Sequence, residues 1–206
     1  MARVRALPLL AGLCIGGLLA AGARADQQRD PELEGVLRKA IAQAECFTDQ
    51  YDSAVWYKLM EPRLHNIVKD KDERLEILKQ VYCETRRPGE TRLQPGLVMA
   101  VIDIESRFNR WAVSSAGAVG LMQVMPFWPE KLGLHRYDLV HIAPNIRMGC
   151  AILRFYIRYE HNDVRRALAR YNGSVGRRDY PDLVINDWLK WNGADDLGYP
   201  RPGSAH

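Results

Sequence analysis

Apolar residues in this chain recur three, four and seven positions apart in one segment after another, and no alternating apolar–polar run of useful length interrupts them. Such spacing builds helices that each bury one stripe and offers no sheet to bury it against. It predicts an all-α fold with helices over Pro31 to Ala44, Gln50 to Ile67, Asp72 to Arg86, Pro95 to Phe108, Pro144 to His161, Asp163 to Tyr171 and Pro181 to Trp191. The punctuation agrees. Asp70-Lys71-Asp72-Glu73 has capping-box spacing, Pro31, Pro95, Pro144 and Pro181 suit first turns, and Asn172-Gly173 suits a helix stop. Arg87-Pro88-Gly89-Glu90 reads as a turn that divides an N-terminal helical region, 26–87, from a second region, 88–206, whose tail from Gly193 onward is loose.

The first 25 residues read as an export signal. Arg3 and Arg5 precede an apolar run from Ala6 to Gly22, and Ala23-Arg24-Ala25 is an A-x-A cleavage site, so the mature chain is expected to begin at Asp26. An uncleaved anchor is the alternative, although the run is at the short end for spanning a bilayer. Lipidation at Cys14 is disfavoured because Leu13, not a small residue, precedes it. With Arg3, Arg5 and Arg24 removed, the net charge falls from +4 to about +1, and no long Lys/Arg cluster remains. Nucleic acid is therefore a poor partner. The remaining length fits one domain with a substantial core.

Cys14 leaves with the signal, and Cys46, Cys83 and Cys150 remain in an oxidising compartment. The odd count leaves at least one thiol free or intermolecularly bonded. Cys46 and Cys83 lie on the two sides of the early helical hairpin and are placed to staple it, whereas Cys150 falls in a long apolar helix where a buried thiol is the default. Three buried thiols are the competing reading. Neither C-x-x-C nor H-E-x-x-H occurs and the histidines are scattered, so no metal site and no cofactor are indicated.

One carboxylic acid stands out. On a Pro95–Phe108 helix, Glu105 shares a face with Val98, Val101, Ile102 and Phe108. Desolvation disfavours the ionised form, so Glu105 should hold its proton to higher pH than an exposed Glu, as a general acid requires. The plainer reading is an amphipathic helix whose Glu swings out to water. Asp103 lies about 200° around the same helix and can pair with Arg107 as an ordinary surface charge. After this helix comes Ser114-Ser115-Ala116-Gly117-Ala118-Val119-Gly120-Leu121-Met122-Gln123-Val124-Met125-Pro126, whose small residues allow close backbone approach. Core packing of Leu121 and Met125 explains the same letters equally well.

Together, Ile104-Glu105-Ser106, Gly117-Ala118-Val119-Gly120-Leu121-Met122-Gln123-Val124-Met125-Pro126 and Ala169-Arg170-Tyr171-Asn172-Gly173 resemble the soluble lytic transglycosylases of bacterial peptidoglycan, glycoside hydrolase family 23. The resemblance covers roughly Gln94 to Trp191, with the order and spacing of the three blocks retained. It implies a goose-lysozyme-like helical fold, with 26–87 as an N-terminal helical extension packed on a catalytic domain at 88–206. It also implies a periplasmic enzyme acting on peptidoglycan glycan strands. Glu105 would be the sole catalytic acid and base. Ser106, Ser114, Met122, Gln123, Tyr171, Asn172 and Tyr180 would be the substrate-binding positions, with the Tyr180 hydroxyl holding the Glu105 carboxyl. Tyr171 also falls on the Val164-Ala167-Leu168 stripe and reads as core, and Asn172-Gly173 reads as a helix cap. Where the family commonly has Ala-Tyr-Asn-Ala-Gly, this chain has Arg170 before Tyr171 and Gly173-Ser174 after Asn172, and Pro181 replaces the usual branched residue after the downstream tyrosine.

Most glycosidases use two carboxylates. With Asp103 aimed elsewhere, the resemblance implies substrate assistance: Glu105 protonates the glycosidic oxygen, the 2-acetamido group attacks the anomeric carbon, and the 6-hydroxyl then closes a 1,6-anhydro ring. A lysozyme-type muramidase is the nearest alternative, and a catalytically silent glycan-binding or assembly protein is the alternative of another class. Wall turnover and passage of envelope-spanning or secretion machinery both use this chemistry. Phe127, Trp128, Trp188 and Trp191 are candidate sugar platforms, although aromatics at helical spacing are more often core.

Overall fold

The computed structural model describes residues 30–42 and 50–194. It comprises α1 (Pro31–Ala42), α2 (Gln50–Leu64), α3 (Lys71–Thr85), α4 (Pro95–Ser106), α5 (Phe127–Lys131), α6 (Ile142–Tyr159), α7 (Val164–Asn172) and α8 (Asp179–Trp188). Short 3-10 turns, Arg136–Val140 and Leu189–Ala194, precede α6 and follow α8. Among the described residues the only β pairing is two isolated bridges, Val113 with Val119 and Val119 with Val124. The fold is all-α, as the periodicity requires. Among the described residues no helix is long and apolar enough to cross a membrane. The export signal at 1–25 lies outside the described residues.

Helix ends follow local chemistry. The Asp70 carboxylate accepts the Glu73 N–H at 2.7 Å and opens α3, and Asp163 accepts from Arg166 N at 3.0 Å and opens α7. Gly173 closes α7 at φ 73°, a left-handed conformation that glycine adopts without a Cβ penalty. Two expected boundaries move. Helix α4 stops at Ser106, not Phe108, because Arg107 and Phe108 both turn left-handed, at φ 50° and 61°. Helices α6 and α8 begin two residues ahead of Pro144 and Pro181, so each proline is the third residue of its helix, where its missing N–H costs no intrahelical bond. Helix α5 was not expected from periodicity, since five residues are too few to display any.

The core is organised on α6, which is buried along most of its length and packs against α1, α3 and α7. A Cβ on its Gly149 would overlap the Met122 side chain, so the thioether rests directly on helix backbone. At the α3 end, buried Glu84 meets Arg87 at 2.5 Å and Arg147 at 3.2 Å. Arg154 donates to the Glu84 carbonyl at 2.5 Å and to the Thr91 carbonyl at 2.8 Å. These bonds fasten the connection between α3 and α4 to the central helix. Trp56 of α2 donates its indole N–H to the Leu78 carbonyl at 2.9 Å, seating α2 on α3. Cys83 is disulfide-bonded, and Cys46, the partner expected from sequence, lies outside the described residues. Cys150 is a free, buried thiol whose pKa burial pushes up.

Candidate active site

Helix α4 is buried from Pro95 to Ile102 and emerges in its last turn, so Glu105 is partly buried just where the helix ends. Val98, Val101 and Ile102 are fully buried and Phe108 nearly so. The stripe beside the acid is therefore apolar, and the carboxyl is neither sealed nor free in water. The Tyr180 hydroxyl, from the first turn of α8, donates to Glu105 Oε1 at 2.7 Å. Tyr171, in the last turn of α7, is buried and donates its hydroxyl to the Met122 carbonyl at 2.7 Å. Burial, and then the nearby Glu105 charge, hold the Tyr171 pKa well above the ordinary tyrosine range. Tyr171 is thus both a core residue and a neighbour of the acid. Asn172 is the partly buried last residue of α7, directly before the Gly173 cap.

The segment after α4 folds into a compact loop fixed by its own backbone. Gly120 N donates to the Ala112 carbonyl at 2.9 Å, Ser114 N to the Ala118 carbonyl at 2.9 Å, and Val119 and Val124 exchange bonds at 2.9 and 3.1 Å. Asn145, buried on α6, organises it. Its Oδ1 accepts from Met122 N at 2.8 Å, and its Nδ2 donates to the Val119 and Leu139 carbonyls, both at 2.9 Å. Gly120 sits at φ 82°, and a Cβ there would overlap both Asn145 and the Leu139 carbonyl. Sequence reading missed Asn145, since one Asn on an apolar helix announces a buried polar group but not its partners.

The sequence-derived site residues take up different duties. Ser106 donates its hydroxyl to the Ile102 and Leu121 carbonyls at 3.1 and 2.8 Å, tying the end of α4 to the loop. Ser114 Oγ accepts from Ala118 N at 3.0 Å within the loop. Gln123 is buried at φ 48°, and its Nε2 donates to the Ala112 and Gly120 carbonyls at 3.2 and 2.9 Å. The Met122 side chain is fully buried against Gly149, and its carbonyl is the part aimed at Tyr171. Of the seven non-acid positions, Tyr180 makes a side-chain hydrogen bond to Glu105.

Asp103 requires a correction. It is partly buried, and the Asp187 carboxyl on α8 acts on it electrostatically, so it is not an ordinary surface charge. Burial first, then the Asp187 charge, raise its pKa, while Lys190 and Arg107 pull the other way. Helical phase placed it away from Glu105 but could not reveal that α8 covers it. Trp128 and Trp191 are core residues, and Phe127 and Trp188 are partly buried against the core. Among the described residues the strongly exposed aromatics are Trp111, Tyr137 and Tyr159, which the sequence reading did not single out. Among the described residues no group of His, Cys, Asp or Glu converges to hold a metal ion.

An all-α scaffold that ends a buried helix in one partly buried glutamate, braced by a tyrosine and faced by a Gly-rich loop, defines a lysozyme-like class of protein. Residues 84–180 match the family model of the transglycosylase SLT domain. A transglycosylase of Enterobacteria phage PRD1 is 37% identical over 107 residues, covering 48% of this chain and 39% of the phage protein. A membrane-bound lytic murein transglycosylase C of Actinobacillus pleuropneumoniae serotype 5b is 50% identical over 54 residues, covering 25% of this chain and 15% of that protein. The matches thus span well under two thirds of these relatives.

Proposed function

We propose that this protein is a peptidoglycan lytic transglycosylase that cleaves the β-1,4 bond between N-acetylmuramic acid and N-acetylglucosamine without water and leaves 1,6-anhydro ends. The observation that supports this most is the single carboxyl, Glu105, at the end of a buried helix with the Tyr180 hydroxyl on Oε1 at 2.7 Å. Protonated Glu105 donates to the glycosidic oxygen as the bond to the anomeric carbon breaks, and the 2-acetamido oxygen forms a new bond to that carbon. The resulting glutamate takes the proton of the 6-hydroxyl, whose oxygen displaces the acetamido oxygen and closes the anhydro ring. Glu105 finishes protonated, ready for another round. The Tyr180 hydrogen bond fixes which oxygen faces the sugar through both steps. Asp103, partly buried and acted on by the Asp187 charge of α8 rather than set beside Glu105 on its helix face, is not disposed to act as the second carboxylate that a hydrolase would need.

Ser106, Met122, Gln123 and Asn145 serve this site by holding the loop, while Ser114, Tyr171 and Asn172 contribute to the wall that receives glycan. Export by cleavage after Ala25, residence in the periplasm, and a Cys46–Cys83 bridge stapling the early helical hairpin within the region 26–87 complete the reading. Mass spectrometry of products from purified sacculi tests it. Anhydro-muramyl ends are expected from the parent and none from Glu105→Gln, whereas reducing ends alone would reassign the enzyme as a muramidase.

A further inference from the structure

Trp111 is 63% exposed, yet the segment that carries it is firmly held. Its backbone N–H donates to Asn109 Oδ1 at 2.9 Å, and the carbonyl of the next residue, Ala112, accepts from Gly120 N at 2.9 Å and from Gln123 Nε2 at 3.2 Å. The ring is held as well. The Arg110 guanidinium lies 4.8 Å from the indole centroid, and its Nε donates to the Val140 carbonyl at 2.8 Å, which fixes the cation against one face of the ring and leaves the other to solvent. Two hydrogen-bonded turns, Asn109 N to the Ser106 carbonyl at 3.0 Å and Ala112 N to the Asn109 carbonyl at 3.1 Å, lead here from the end of α4. Each turn spans under about 7 Å between its end Cα atoms, so Ala112 lies within about 14 Å of Ser106, the neighbour of Glu105. Trp111 therefore borders the candidate active site.

A tryptophan is ordinarily fixed by burial, whereas this one is ordered by a pinned backbone and a stacked cation while one face stays in water. From Arg107 to Ser115 every second residue is exposed, so Trp111 has Asn109 on one side and Val113, 67% exposed, on the other. A flat apolar face among polar groups suits a sugar ring, which has apolar C–H faces and hydroxyl edges. It suits a protein partner poorly, because Trp111 and Val113 alone make no broad apolar patch. We propose that Trp111 is a glycan-binding platform whose open face takes a β-1,4-linked N-acetylhexosamine ring of the strand, outside the bond being cleaved. This rests on the reading of the Glu105 site as one that acts on peptidoglycan. Trp128 and Trp191, which sequence offered for this duty, are core. The platform holds the strand equally before and during reaction, so it acts on KM and not on kcat.

Co-sedimentation with purified sacculi measures binding without turnover when the full-length protein carries Glu105→Gln. Adding Trp111→Ala should weaken that binding roughly threefold to tenfold, the scale of one aromatic contact, and Trp111→Phe should restore most of it. In the turnover assay Trp111→Ala should raise KM by a similar factor at unchanged kcat. Tyr159 is the control, since it is 51% exposed at the end of α6 remote from Asn145 and is likewise backed by a cation, Arg170 at 4.5 Å. Tyr159→Ala should bind sacculi as the parent does. If the parent releases no anhydro ends, the catalytic reading fails while sacculus binding still decides the platform. Equal binding with and without Trp111, or an equal loss in Tyr159→Ala, would overturn the proposal. So would Trp111-dependent binding to vesicles of phosphatidylethanolamine and phosphatidylglycerol in place of sacculi, which would assign the ring to a membrane surface.

Discussion

The Tyr180 hydroxyl reaches the Glu105 carboxyl at 2.7 Å across 75 positions of sequence, joining the first turn of α8 to the last turn of α4. Hydrogen bonds to charged or reacting groups contribute about 1.5–3 kcal/mol. Tyr180→Phe is therefore expected to lower kcat by roughly ten- to a hundredfold, with KM little changed, in a turnover assay on sacculi. Unchanged kcat would remove Tyr180 from the mechanism.

Gly120 is where loop and helix come closest. A Cβ at φ 82° would overlap Asn145 and the Leu139 carbonyl, the second of which is backbone that cannot swing aside. Gly120→Ala should destabilise the fold by roughly 2 kcal/mol or more, read as a lowered denaturation midpoint in urea. A midpoint equal to the parent's would show that the loop has room to shift.

Asn145 satisfies one loop N–H and two carbonyls from a buried position. Asn145→Ala strands these groups and should cost about 3 kcal/mol. Asn145→Asp should rescue little, because a carboxylate cannot donate to Val119 and Leu139. Chemical denaturation of both variants separates lost volume from lost donors: rescue by Asp would mean the Met122 N–H is the contact that matters.

Gly149 and Met122 are expected to be coupled. Gly149→Ala pushes a methyl into the Met122 side chain and should destabilise by roughly 1–3 kcal/mol, the range for overpacking. Met122→Ala alone leaves a void. In the double variant the two defects offset in part, giving a coupling of at least about 0.5 kcal/mol, and simple additivity would mean that the helix yields instead.

Tyr171 carries a pH signature. Burial and then the Glu105 charge raise its folded pKa above the ordinary value of 10.0, whereas the unfolded chain titrates near that value. An acid raised on folding contributes stability that is complete below its unfolded pKa and is lost as pH climbs toward the folded one. Stability should thus decline above pH 10.0, and Tyr171→Phe should flatten that limb while costing about 1 kcal/mol at neutral pH through the stranded Met122 carbonyl. An equally steep alkaline limb in Tyr171→Phe would assign the decline to other groups.

Local pattern sufficed for much of this molecule. The helices, the Asp70 and Asp163 caps and the Gly173 stop depend on residues a turn or two apart, and the periodicity around Glu105 marked it as the unusual acid. Family-like spacing also pointed to Tyr180 as its brace. The Met122 and Gln123 assignments show where that information ends. The Met122 side chain goes inward because Gly149 leaves space on α6, and the Gln123 amide donates to loop carbonyls that need donors.

What the sequence by itself determined was therefore helix content, the punctuation of its ends and the placement of Glu105 beside an apolar stripe, since each follows from short-range geometry and side-chain chemistry. Tertiary structure alone decided that Asn145 would organise the loop and that the Asp187 charge would act on Asp103. Both depend on which faces of distant helices are pressed together. Burial turns an ordinary amide or carboxyl into a group that must find a partner, and only the packed fold supplies one.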